Sequence, residues 1–178
     1  MQPVDGLHLA AGPVRGRAAR EDRELVAEHL DLEAGRLGFP VLDDAQIADV
    51  LRRARRIAVI GASADPGRPS HGVLVGLIAA GYDVVPVNPS EDRIEGLSCF
   101  PTLGAAVEAT GPFDIVDVFR RRAACPEHAR EAVATGARCF WLQLGLVSRE
   151  AARIAHEGGL AVVMDRCTEI ELGRIGRG

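Results

Sequence analysis

The sequence predicts an α/β fold: a Rossmann-like, doubly wound, mainly parallel five-stranded sheet with helices on both faces. Two observations predict it. From Ile57 onward, short runs rich in Val and Ile recur, and amphipathic stretches of helical length separate them. Such alternation produces repeated βα units, whose right-handed crossovers make the strands parallel and cover both faces of the sheet.

Residues 1–40 read as a flexible N-terminal extension, with Gly and Pro between short apolar pieces at its start. A helix is expected over 19–37, with Leu25, His29, Leu32 and Arg36 on one side, and Phe39 and Pro40 ending it. The domain proper spans 41–178. It opens with DDAQIADVLRRARR, a helix capped by Asp43 or Asp44, with Ile47, Val50, Leu51 and Ala54 in one apolar stripe and Arg residues near its negative end.

The alternation then begins. IAVIG (57–61) is a strand and HGVLVGLIAAG (71–81) a helix stopped by Gly81. DVVPVNP (83–89) is a strand in which Pro86 implies irregularity or an edge position. Residues 96–111 hold a short extended piece and a weak helix. FDIVDVFR (113–120) is a strand, PEHAREAVATG (126–136) a helix, and ARCFWLQLG (137–145) a strand. A helix over 148–159 is capped by Ser148, LAVVMDRC (160–167) is the last strand, and TEIELGRI adds a helical turn.

Composition narrows the function classes. A formal charge of −4 disfavours nucleic acid and anionic membranes as partners. No segment approaches the ~18–20 apolar residues of a membrane span, and the first residues lack a signal-peptide pattern. Cys99, Cys125, Cys139 and Cys167 have no metal-site or disulfide-scaffold spacing. A cytoplasmic protein with reduced thiols is expected. All 21 basic residues are Arg, so any phosphate must be held by Arg, by backbone amides, or by both.

In a doubly wound sheet, ligands sit beyond the carboxyl ends of the strands, where the winding reverses. The candidate loops are therefore 61–70, 88–90, 119–122 and 143–146. In the first, Gly61 permits a tight turn, Ser63 adds a hydroxyl and Arg68 a forked donor. Pro69 suits the first turn of the next helix, and Ser70 can cap it. The free N–H groups of that helix make an anion site, which points to a phosphate or pyrophosphate. A dinucleotide fingerprint needs Gly-x-Gly-x-x-Gly, but its places hold Gly61, Ser63 and Pro66. The ribose-binding acid is replaced by Asn88, followed by Pro89. Both marks of NAD are absent, and NADP is less excluded.

The segments IAVIGAS, VVPVNP, VDVFR, WLQLG and VVMDRC, in this order, resemble the stand-alone CoA-binding domain proteins. That family is similar to the N-terminal CoA-binding domain of the succinyl-CoA synthetase alpha subunit. The likeness runs from about Asp43 to the C-terminus. It implies that Gly61, Ala62, Ser63 and Arg68 face the phosphates of CoA, and that Asn88 and Pro89 border its adenosine 3′-phosphate end. It further implies that Val118, Phe119 and Arg120 line the groove beside adenine or pyrophosphate, while Gln143 and Gly145 border the pantetheine path. The synthetase's phosphorylated histidine belongs to a second domain that this chain lacks room for, so ligase chemistry in this chain alone is not expected.

Other groups weigh less. Cys125 and His128 share a helix start, but nothing else of ligand type is near them in sequence. Asp165 and Arg166 read as an ion pair closing the sheet edge, and Cys167 as a buried small hydrophobe with a reactive thiol as the alternative. His71 reads as a surface residue, with phosphate contact as its alternative. Phe140 and Trp141 read as core. The expectation is a binding protein for CoA or acyl-CoA with no legible catalytic apparatus and no metal site. It takes a small-molecule ligand, with a homo-oligomer or a ligase-type partner subunit as further expectations. The alternatives are an NADP-binding reductase-like enzyme and a CoA-binding subunit of a larger acyl-CoA ligase.

Overall fold

A computed structural model describes residues 13–176. Its sheet has five parallel strands: β1 (Arg56–Ile60), β2 (Asp83–Val87), β5 (Ile115–Val118), β6 (Cys139–Leu142) and β7 (Ala161–Val163), in the order β2-β1-β5-β6-β7. The doubly wound sheet expected from the alternation is the one observed. The strands are shorter than the expected runs, because residues such as Arg120 and Gln143 leave the ladder to form loops. A hairpin of β3 (Arg93–Ile94) and β4 (Leu97–Ser98) turns through Glu95 and Gly96, both at positive φ. Two-residue strands carry no periodicity, so the hairpin is not legible in sequence.

Alternation along the strands divides the core between the two faces. Ile57, Val59, Ile115, Cys139 and Trp141 pack under α2 (Asp44–Arg53), α3 (Pro69–Ala79) and α7 (Thr168–Ile175). Ala58, Ile60, Val116, Phe140 and Leu142 pack under α4 (Leu103–Thr110), α5 (Cys125–Ala134) and α6 (Arg149–Glu157). Pro86 sits in β2, at the sheet edge, where the lack of an N–H is tolerated. Asp43 caps α2 through a reciprocal capping box with Gln46. Ser148 caps α6 by accepting the Ala151 N–H at 3.3 Å.

In the N-terminal extension, residues 1–12 lie outside the described residues. Helix α1 spans Pro13–Glu33, starting earlier and ending sooner than the expected 19–37. Pro13 takes the first helical turn, where a missing N–H costs nothing. Gly35 at φ +65° ends the helix, so Arg36 lies beyond it. Leu25, Leu32, Leu37, Phe39 and Val41 then touch the core on the α6 side. The Leu42 N–H donates to the Val162 carbonyl at 2.9 Å, which covers the free edge of β7.

Candidate functional site

The chain leaves β1 toward one face and β5 toward the other, so a crevice opens between their carboxyl ends. A cleft of about 980 Å³ occupies it. The cleft brings together Gly61, Ser63, Arg68 and Ser70 from the first loop and Asn88 from the second. Val118, Phe119 and Arg120 come from the β5 end, and Gln143 and Gly145 from the β6 end. Ala62 and Pro89 do not reach it: Ala62 is sealed in the core and Pro89 is turned to solvent.

Gly61 is required by geometry. At φ +81° a Cβ would run into the Phe119 carbonyl oxygen, so the β1 turn and the β5 end can close on each other only without a side chain. Beyond it, the Ser63 hydroxyl accepts the Asp65 N–H at 3.1 Å, and the Asp65 carboxylate accepts the Gly67 N–H at 2.9 Å. These two turns fold the loop back toward α3. Ser70 does not cap that helix. Pro69 occupies the first helical position, which makes Arg68 the residue before the helix, and no side chain caps the end. Ser70 is buried inside the first turn.

The positive end of α3 therefore borders the cleft without a side-chain partner. Arg68, Arg120 and Arg121 line the same cleft. Arg68 reaches Asp65 only at 3.8 Å between two well-exposed side chains, a contact of little strength. Arg120 and Arg121 are exposed and make no ion pair among the described residues. Pro69 has no N–H and the His71 N–H donates to the Arg68 carbonyl at 3.0 Å, so the cationic forks, more than free helix donors, are what attract an anion with several oxygens.

Asn88 is mostly committed to the protein itself. Its Nδ2 donates to the Ala62 carbonyl at 2.7 Å and its Oδ1 accepts the Ser90 N–H at 3.0 Å. It ties the first two loops together and shapes the wall. On the opposite wall, the Gly145 N–H donates to Asp165 at 2.6 Å. Asp165, at φ +56°, lies 3.9 Å from His29 of α1. The Asp165–Arg166 ion pair expected from sequence is not formed. Neighbours at a strand end diverge: Arg166 pairs instead with Asp44 at 2.6 Å and Glu171 at 3.1 Å.

The floor holds residues that sequence reasoning does not reach. Asp117 of β5 is fully buried, and its oxygens accept from Gln143 Nε2 at 2.7 and 2.8 Å and from the Thr168 hydroxyl at 3.1 Å. Burial pushes its carboxyl up to about 7, against the hydrogen bonds from Gln143, Thr168 and the Val118 backbone. The available signal is a carboxylate in the middle of an otherwise apolar strand, IVDVF. Cys167 is half-buried: it packs against the core under α3 and α7 and also lines the cleft.

Other groups lie apart from the cleft chemistry. The Cys125 thiol is buried, which pushes it up to about 11 despite nearby Arg122, and His128 pairs with Glu131 at 2.8 Å. His71 is turned to Glu95 at 2.9 Å. Trp141 is core, its indole N–H donating to the Arg166 carbonyl at 2.7 Å. Among the described residues no cluster of metal-ligating side chains occurs, and no helix is long and apolar enough to cross a membrane.

Residues 55–173 match the family model described as a CoA binding domain. The chain belongs to that family. This CoA-binding-domain protein is 43% identical over 126 residues to the uncharacterized protein YneT of Bacillus subtilis, covering 71% of this chain and 91% of YneT. Among solved structures, it resembles a hypothetical protein from Pyrococcus horikoshii at 34% identity and a TM-score of 0.71, with coverage of 75% of this chain and 92% of that one. It also resembles a Thermus thermophilus protein, cell-free ID.343, at 36% identity and a TM-score of 0.70, covering 76% and 100%. The matched region begins after α2, so α1 lies outside the family's domain.

Proposed function

We propose that the cleft binds CoA or an acyl-CoA, with the nucleotide phosphates on the first βα loop and the pantetheine arm along the β6 wall. The observation that carries this reading is the uncapped start of α3 in a cleft that Arg68, Arg120 and Arg121 also line. CoA presents several phosphate oxygens that such donors match. Leu144, Leu146 and Val73 supply apolar wall for the less polar arm. Asn88 stands where a dinucleotide site needs a ribose-binding acid, which favours CoA over NAD.

The protein proposed here holds or delivers CoA in the cytoplasm and has no catalytic machinery of its own. Four unpaired cysteines suit a reducing compartment. The test is a thermal-shift panel of CoA, acetyl-CoA, NAD and NADP on wild type and Arg68→Ala. CoA species should stabilise the wild type most, and Arg68→Ala should weaken CoA binding by ~1–3 kcal/mol. No shift with any CoA species at millimolar concentration contradicts the reading.

A further inference from the structure

The floor of the cleft is ordered by a buried polar triad, Asp117, Gln143 and Thr168, each at most 5% exposed. A carboxamide has two faces, and the triad dictates which one Gln143 turns outward. Its Nε2 donates to both oxygens of Asp117, at 2.7 and 2.8 Å, and to the Thr168 hydroxyl at 2.9 Å. The Thr168 hydroxyl spends its own hydrogen on Asp117 at 3.1 Å, so it can only accept from Gln143. With Asp117 ionised, a carboxylate cannot accept from a carbonyl, so the opposite orientation would set Oε1 against Asp117 with no hydrogen between them; a protonated Asp117 could donate to Oε1, so the lock belongs to the ionised form.

The consequence lies on the other side of the amide. Gln143 Oε1 has no partner among the described residues, and it is not among the sealed polar atoms lacking one, the only such atom there being Arg149 Nε. Gln143 lines the cleft. Its oxygen therefore faces the space a ligand would fill, as an acceptor whose direction is fixed from behind.

We propose that Asp117 is a positioning residue that locks the Gln143 carboxamide with Oε1 toward the cleft, so that the floor selects a ligand group carrying an N–H. If the CoA reading holds, on which the ligand assignment rests, that group is a secondary amide of the pantetheine arm. An N–H donor meeting an unpartnered, nearly buried acceptor gains a full hydrogen bond. A ligand lacking that donor leaves the oxygen desolvated and unpaired. Asp117 touches no ligand in this scheme and acts only through Gln143.

The full chain tests this at pH 8.5, where Asp117 is ionised, by calorimetric titration with CoA and with adenosine 3′,5′-bisphosphate, which has ribose phosphates but no pantetheine amides. Asp117→Asn and Gln143→Leu are each compared with wild type. The carboxamide introduced by Asp117→Asn can offer an N–H of its own, so Gln143 is free to turn over. Both variants should bind CoA about tenfold more weakly and leave the bisphosphate within about twofold. Equal losses for both ligands, or an unchanged CoA affinity in Asp117→Asn, overturn the proposal. A ligand-free readout separates it from the CoA reading. In ¹⁵N-labelled wild type, the Gln143 side-chain amide protons, assigned by their loss in Gln143→Leu, should exchange slowly with solvent, and Asp117→Asn should speed that exchange. If wild type binds neither ligand, the CoA assignment falls while slow exchange still upholds the locked amide. Fast exchange in wild type refutes the lock whatever binds.

Discussion

Gly61 is the residue on which the cleft most depends, and its requirement is steric. Its positive φ and the nearby Phe119 carbonyl oxygen leave no space for a methyl group. Gly61→Ala should cost roughly 2–4 kcal/mol in urea unfolding and abolish ligand-induced stabilisation. An unchanged unfolding midpoint contradicts the close approach of the two loops. Asp117 makes a second prediction at this scale. Its folded carboxyl titrates near 7, above its ordinary value of 3.8, so the native state holds a proton that the unfolded state releases between those values. Stability from this group is therefore fully present below about pH 4 and is lost as pH rises to about 7, by up to about 4 kcal/mol. Asp117→Asn removes that loss, so its stability relative to wild type should rise between pH 5 and pH 8. Parallel pH profiles for the two proteins would contradict a buried, titrating Asp117. The floor and the loop differ in how legible they are: Gly61 announces itself after a Val/Ile run, whereas Gln143 shows its partner only once two strands lie side by side.

Among the elements outside the matched region, α1 joins the loops beside the cleft. Glu28 accepts from Arg122 at 2.6 Å with one oxygen and from the Arg149 N–H at 3.0 Å with the other, which supports the start of α6. Both side chains of the Glu28–Arg122 pair are less than a third exposed, so solvent screens it only in part. Glu28→Ala should lower stability by about 1–2 kcal/mol in urea unfolding. No change in midpoint would mean that α1 contributes nothing through this contact. The helices with clear caps and apolar stripes, α2 and α6, are legible in sequence nearly to their ends. The half-apolar face of α1 is harder to read, because its polar residues pair with Arg122 and Arg149, which are distant in sequence. Ser70 illustrates the same limit: a good capping residue loses that role because Pro69 starts the helix one residue earlier.

Across the whole molecule, strand and helix periodicity determine a doubly wound sheet, and that topology alone locates the crevice between β1 and β5. Most of the candidate site follows, since strand ends and loops can be counted along the chain. What does not follow is anything made by residues distant in sequence, such as the Asp117–Gln143–Thr168 floor or the clasp of Gly145 by Asp165. In the proposed reading, the anion-binding side of the cleft rests on Arg68, Arg120 and Arg121, and CoA is the ligand that would combine these with an apolar arm. Native mass spectrometry of the purified full chain, given CoA and NADP at equal concentration, tests this most directly. One CoA per chain, with little NADP retained, is the predicted spectrum; retention of NADP in preference to CoA, or of neither, would contradict it.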